Sequence, residues 1–78
     1  MNRPDIYAAI DTERERQDSL HGTRSIGHPL TSNWLRLAIL IEEVGEVGTA
    51  LQNGDLDNLR AELTEVAACC VGWLEALP

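Results

Sequence analysis

The chain contains no lysine and no phenylalanine, and its six basic residues, all arginine, face thirteen acids. A formal net charge of −7 argues against a surface that grips the phosphates of a nucleic-acid polymer. It argues equally against docking on an anionic membrane. Without lysine, any phosphate clamp must come from arginine, backbone amides or a metal ion. Cysteine is scarce as well, with only the adjacent Cys69 and Cys70. Neighbours on a helix point about 100° apart, so these two do not bridge to each other there. With no histidine or further cysteine beside them they make no zinc site, and they read as small apolar core residues of a reducing compartment. No apolar run approaches the ~20 residues that span a bilayer, and Met1 to Asp5 has no apolar signal-peptide core. The expectation is a soluble, cytoplasmic protein. Strand alternation, internal repeats and low-complexity tracts are missing too.

What remains is helical. With 78 residues, a single domain over 1–78 is expected. A chain this short buries only about 60% of its unfolded surface, so a bound metal or a second subunit would help to stabilise it. The first helix is expected from Asp5 to about Leu20, opened by Pro4, with Ile6, Ala9, Ile10 and Leu20 on its apolar side. Its middle, Thr12 to Asp18, reads TERERQD and looks like a solvated, alternately charged face. His21 to Thr31, with two glycines and a proline, reads as a loop of near-maximal length.

Thr31 or Ser32 caps a second helix from about Asn33 to Gln52, which Asn53-Gly54 ends. Apolar residues surround it nearly all round, which places such a helix at the centre of a bundle or at an oligomer interface. Asp55 or Asp57 caps a third helix running to about Leu77, with Leu59, Leu63, Val66, Cys70, Trp73 and Leu77 as its stripe. The fold class is therefore all-α, a helical hairpin preceded by an N-terminal helix.

Two pairs of acids break the amphipathic pattern. Counting about 100° per residue from Glu43, Glu46 falls near 300°, among Ile39, Leu40, Val47 and Ala50. The same count from Glu62 puts Glu65 near 300°, beside Leu59, Val66, Cys69 and Trp73. Each pair is spaced i, i+3, so its carboxylates are neighbours. On antiparallel helices the four can converge, where like charge and desolvation would drive them to take up protons. A divalent cation removes that cost. Ligands that are all oxygen select a hard ion, Mg²⁺ or Mn²⁺. Di-iron bundles usually offer Glu-x-x-His, and neither helix holds a histidine.

The stretch from Ile41 to Val66, IEEVGEVGTALQNGDLDNLRAELTEV, resembles the MazG-like all-α NTP pyrophosphohydrolases. Their signature is EExxE followed, after a gap, by ExxD; here EEVGE is Glu42 to Glu46 and ELTE is Glu62 to Glu65. The resemblance implies Glu43, Glu46, Glu62 and Glu65 as metal ligands, the four that the helical wheel selects. Glu42 lies one turn before Glu46 on the same side, and Glu42 or Glu46 would act as base toward the attacking water. The implied reaction is Mg²⁺-dependent hydrolysis of a nucleoside triphosphate to the monophosphate and pyrophosphate, with Mn²⁺ as an alternative ion. A looser likeness extends over Glu13 to Gly22. The sequence departs from the family in two ways: Glu65 stands where Asp is usual, and the family's last helix has no counterpart expected in the chain. A homodimer or homotetramer would then complete the bundle.

Arg14, Arg16, Arg24 and Arg36 are candidate phosphate ligands, and each equally suits an ordinary surface position. His28 and Asn33 precede or open the EExxE helix, where the family reads the base; both also suit plain loop polarity. His21 lies beside that loop. Trp34 falls opposite Glu43 and reads as core or interface, Trp73 as a pocket wall or simple packing, and Arg60 as solvated. The alternative to an enzyme is a non-catalytic nucleotide-binding or helical dimerisation module of the same fold.

Overall fold

The structure, a computed structural model describing residues 1–78, consists of three helices. Helix α1 spans Arg3–His21, α2 Asn33–Asn53 and α3 Leu56–Ala76, with a single 3-10 turn at Gly22–Arg24 after α1. There is no strand.

Local chemistry sets each boundary. The Asn2 side chain accepts from the Asp5 amide at 3.0 Å, that of Ser32 from the Leu35 amide at 3.1 Å, and that of Asp55 from the Asn58 amide at 3.0 Å. Each bond satisfies an amide that the first helical turn leaves free. Gly54 ends α2 with φ 64°, a left-handed conformation that only glycine adopts without strain. Only Gly54 and Asp55 separate α2 from α3, so the two helices must run antiparallel as a hairpin.

Helix α3 is the centre of the molecule. It packs against both α2 and α1, while α1 and α2 do not pack on each other. Of the two places expected for α2, apolar all round, the centre of the bundle is excluded: α2 flanks α3, and its outer side is exposed. Trp34 is 82% exposed, so it is not a core residue. The expected stripe of α3 also divides, since Leu63, Cys70 and Leu77 are exposed. Of the cysteine pair, Cys69 is buried and Cys70 is on the surface.

The space left between α1 and α2 is spanned by the segment after α1, which buried arginines hold down. Arg36 donates to the carbonyls of Ile26 and His28, both at 2.7 Å, and to Asn33 Oδ1 at 2.9 Å. Thr31 adds a bond to the Ser25 carbonyl at 2.8 Å. Ile26 is thereby pressed onto α3 at Gly72, where an added Cβ would lie 2.7 Å from Ile26 Cγ2 and 2.8 Å from Arg14 Cζ. Arg14 fills the rest of that space. It donates to Glu75 at 2.9 Å, Asp18 at 3.1 Å and Gln17 at 3.3 Å, while Ser25 donates in turn to Asp18. The TERERQD run is therefore not a wholly solvated face, because Arg14 and Gln17 are buried. No helix is long and apolar enough to cross a membrane.

Candidate metal centre

The hairpin brings Glu43 of α2 together with Glu62 and Glu65 of α3. One carboxylate oxygen from each lies within 4.8 Å of the others. The i, i+3 spacing on α3 and the facing position on α2 produce this convergence, because each acid occupies a stripe otherwise used for packing. Glu43 Oε2 and Glu62 Oε2 are buried and make no hydrogen bond. A buried carboxylate oxygen without a partner is costly, so this concentration of charge calls for a ligand.

Electrostatics agree. The Glu62 carboxyl is raised above the usual carboxylate range, first by burial and then by the charges of Glu65 and Glu46. Glu65 is pushed up to about 7, first because its protonated form would donate to Glu43, then by burial and by the charges of Glu43 and Glu13. Arg16 opposes that rise, its guanidinium 3.6 Å from Glu65. Glu46 is exposed and stands outside the convergent three, though near enough for its charge to be felt at Glu62.

An acid that sequence reasoning missed comes from α1. The Glu13 side chain is only 11% exposed, clamped by Arg16 through Nε at 2.7 Å and an outer nitrogen at 2.6 Å, and its charge reaches both Glu62 and Glu65. Its sequence signal was its place at the start of the looser likeness over Glu13 to Gly22, within a charged run that conceals it. Three convergent carboxylates, two oxygens without partners and no nitrogen or sulfur ligand fit a hard divalent cation such as Mg²⁺ or Mn²⁺.

Beside the acids, between α1 and α2, opens a cleft of about 490 Å³, within the size range of small-molecule sites. Arg16, His21 and Arg24 line one side, while Leu35, Ile39 and Glu42 line the other. Ile26 closes one end, and Glu43 and Glu65 bring the acid cluster into the wall. Cys69 also reaches the cleft, but burial and the Glu43 charge push its thiol up to about 11, which keeps it protonated and a poor nucleophile. Gln17, at the cleft's edge, donates to the Glu65 carbonyl at 3.4 Å and ties α1 to the acid-bearing turn of α3.

The substrate-binding candidates divide sharply. Arg16 and Arg24 face the cleft. Arg14 and Arg36 do not, because their donors are committed to Glu75, Asp18 and Gln17 in one case and to loop carbonyls in the other. His28 accepts the Leu30 amide through Nδ1 and lies outside the cleft. Asn33 also lies outside it, with Oδ1 taken by Arg36 and by Trp73 Nε1 at 3.0 Å. That bond makes Trp73 a clamp between α3 and α2 rather than a cleft wall. Arg60 is solvated, paired with Asp57 at 2.9 Å. Comparison of the chain with protein-family models, curated proteins and solved structures finds no match in any of the three.

Proposed function

We propose that this protein is a metal-dependent nucleoside triphosphate pyrophosphohydrolase of MazG-like type, converting an NTP or dNTP to the monophosphate and pyrophosphate. The observation that carries the reading is the trio Glu43, Glu62 and Glu65, with two buried oxygens unpaired and with Glu43 and Glu65 in the wall of a nucleotide-sized cleft. The EEVGE and ELTE motifs and their resemblance to that family supply the reaction type.

Glu43, Glu62 and Glu65 would hold the ion, with Glu46 one turn along α2 as a further ligand. When bound, such an ion neutralises phosphate oxygens and increases the acidity of water near them. The chain's own residues do the rest. Arg24, together with Arg16, which also holds Glu13, carries the positive charge that receives the phosphates, since both face the cleft while Arg14 and Arg36 are spent elsewhere. Ile26, Leu35 and Ile39 offer the apolar wall for the base and sugar. Glu42, on the cleft wall, accepts the proton of the water that attacks the α-phosphorus as the bond to the leaving pyrophosphate breaks. Glu46 shares that role less directly, being exposed beyond the trio. The reading includes a homo-oligomer, a homodimer or homotetramer, because three helices leave one side of the hairpin bare.

The test is a pyrophosphate-release screen over NTPs and dNTPs with Mg²⁺ or Mn²⁺. Release is expected, and Glu43→Gln should reduce it by about 100-fold or more, the scale on which metal-site residues act. Nucleotide binding without turnover would make the chain a non-catalytic binding module. Neither binding nor release would leave only a helical dimerisation module.

A further inference from the structure

Glu13 does not line the cleft, yet its side chain holds a residue that does. It stands three positions before Arg16 on α1, and helical side chains lean toward the N-terminus, so Arg16 reaches back over it. The contact runs along one edge of the guanidinium. Arg16 Nε donates to the two Glu13 oxygens at 2.7 and 2.8 Å, and the adjoining Nη2 lies 2.6 Å from Oε1. A guanidinium has a second edge, formed by its two outer nitrogens, whose fork matches a pair of phosphate oxygens. In Arg16 this end edge is uncommitted. Nη1 has no partner, and beyond Glu13 the Nη2 meets only Glu65, at 3.6 Å. Burial divides the pair in the same sense: the Glu13 side chain is 11% exposed and that of Arg16 53%. In an ordinary surface ion pair both partners are solvated. Here the acid is set down beside Glu62 and Glu65, where like charge opposes it, so its placement needs a reason beyond solubility.

We infer that Glu13 is a positioning residue: it grips Arg16 by the side edge of its guanidinium, so that the end edge is offered to a substrate phosphate in the cleft. The inference rests on the proposed function, in which Arg16 receives phosphate, and it assigns the α1 acid a duty there. Without Glu13, the anions left near Arg16 are Glu65 and Glu43, whose charges already act on it. The guanidinium would settle on the acid cluster and spend its end edge on the oxygens meant for the ion. With Glu13 present the closer contact prevails, 2.6 Å against 3.6 Å. An ion on the acids would weaken the pull of Glu65 further, and the grip of Glu13 would then be the contact that orients Arg16. Arg24, the other guanidinium on the cleft, has no carboxylate partner. Arg16 is thus the phosphate ligand whose direction the fold fixes, and Glu13 is what fixes it.

A double-mutant cycle read by binding tests it without any turnover. The probe is inorganic tripolyphosphate, titrated by calorimetry into the full chain in saturating Mg²⁺. Glu13→Gln and Arg16→Gln should each weaken binding about tenfold, and the double variant should stay within about twofold of Arg16→Gln, because Glu13 acts through Arg16. A merely structural Glu13 would instead let the two losses multiply to about a hundredfold, which overturns the inference. Arg16→Lys, at an exposed position, keeps the charge but has no second edge, and should bind nearly as weakly as Arg16→Gln. If Glu13→Gln does not fold, Arg16→Lys decides alone. Wild-type affinity in Arg16→Lys or in Glu13→Gln, or a wild type that does not bind tripolyphosphate, also overturns it. The proposed reaction is read separately, by pyrophosphate release. Release with multiplying losses rejects the positioning role and keeps the reaction; losses that do not multiply, without release, keep the role and reject the reaction.

Discussion

Two groups of charged side chains lie within this small molecule, and they are built on opposite rules. Around Arg14 each guanidinium nitrogen has an acceptor, on Glu75, Asp18 or Gln17, and Ser25 donates to Asp18 in turn. Around Glu65 the charges are of one sign, two carboxylate oxygens have no partner, and the only cation in reach is Arg16 at 3.6 Å, itself committed to Glu13. Both groups involve α1 and α3, so burial and helix context do not separate them. The difference lies in stoichiometry. The first is a finished structural tie between the chain's ends; the second is an arrangement that needs something added. A buried charge that is already matched argues for structure, and one that is unmatched argues for a ligand.

The comparison can be broken most strongly at the tie. Arg14→Met should destabilise the fold by about 2–3 kcal/mol in urea titrations, below the range for fully buried pairs because Asp18 and Glu75 are half exposed. Adding Mg²⁺ should not rescue it. If the loss were under about 0.5 kcal/mol, as at ordinary surface positions, the tie would not be structural.

The second test sharpens the other half. Mg²⁺ at a hundred times its dissociation constant should stabilise the wild type by about 2.7 kcal/mol. The rise in melting temperature should vanish in Glu62→Gln, whose metal-free form should melt at or above the wild type because one unmatched charge is gone. An equal Mg²⁺ shift in both proteins would remove the acids from the site.

The smallest effect is on pH. The folded Glu65 carboxyl titrates near 7 and the unfolded one near 4.5, so within that window the native state holds a proton that the unfolded state has released. The contribution of Glu65 to stability is therefore full below about 4.5 and is lost as pH rises to about 7 in metal-free buffer. Because the side chain is 26% exposed, solvent screens part of it. The stability of the wild type minus that of Glu65→Gln, measured in EDTA between pH 4.5 and 7, should fall with pH. A flat difference would show that Glu65 is not crowded by its neighbours.

What could be read in the sequence was whatever depends on neighbours within a turn or two. Ser32, Gly54 and Asp55 gave the ends of α2 and the start of α3, because capping is a contact over three or four residues. The helical wheel found Glu43, Glu62 and Glu65, because a short antiparallel hairpin leaves facing stripes little choice of partner. Glu46 lay on the same wheel and yet ends outside the trio, since the wheel gives direction but not reach.

What the sequence could not assign was the work of the arginines. Arg14 and Arg16 sit two residues apart in one charged run, yet one is spent on Glu75, 61 positions away, and the other faces the cleft. Arg36 resembled a phosphate ligand until the loop carbonyls it holds were seen. Glu13 was hidden for the same reason. Helix ends and faces are fixed by the chain's local period, which any window of the sequence displays. Which long side chain meets which partner depends on how α1 lies across α3, and only the packed tertiary arrangement decides that.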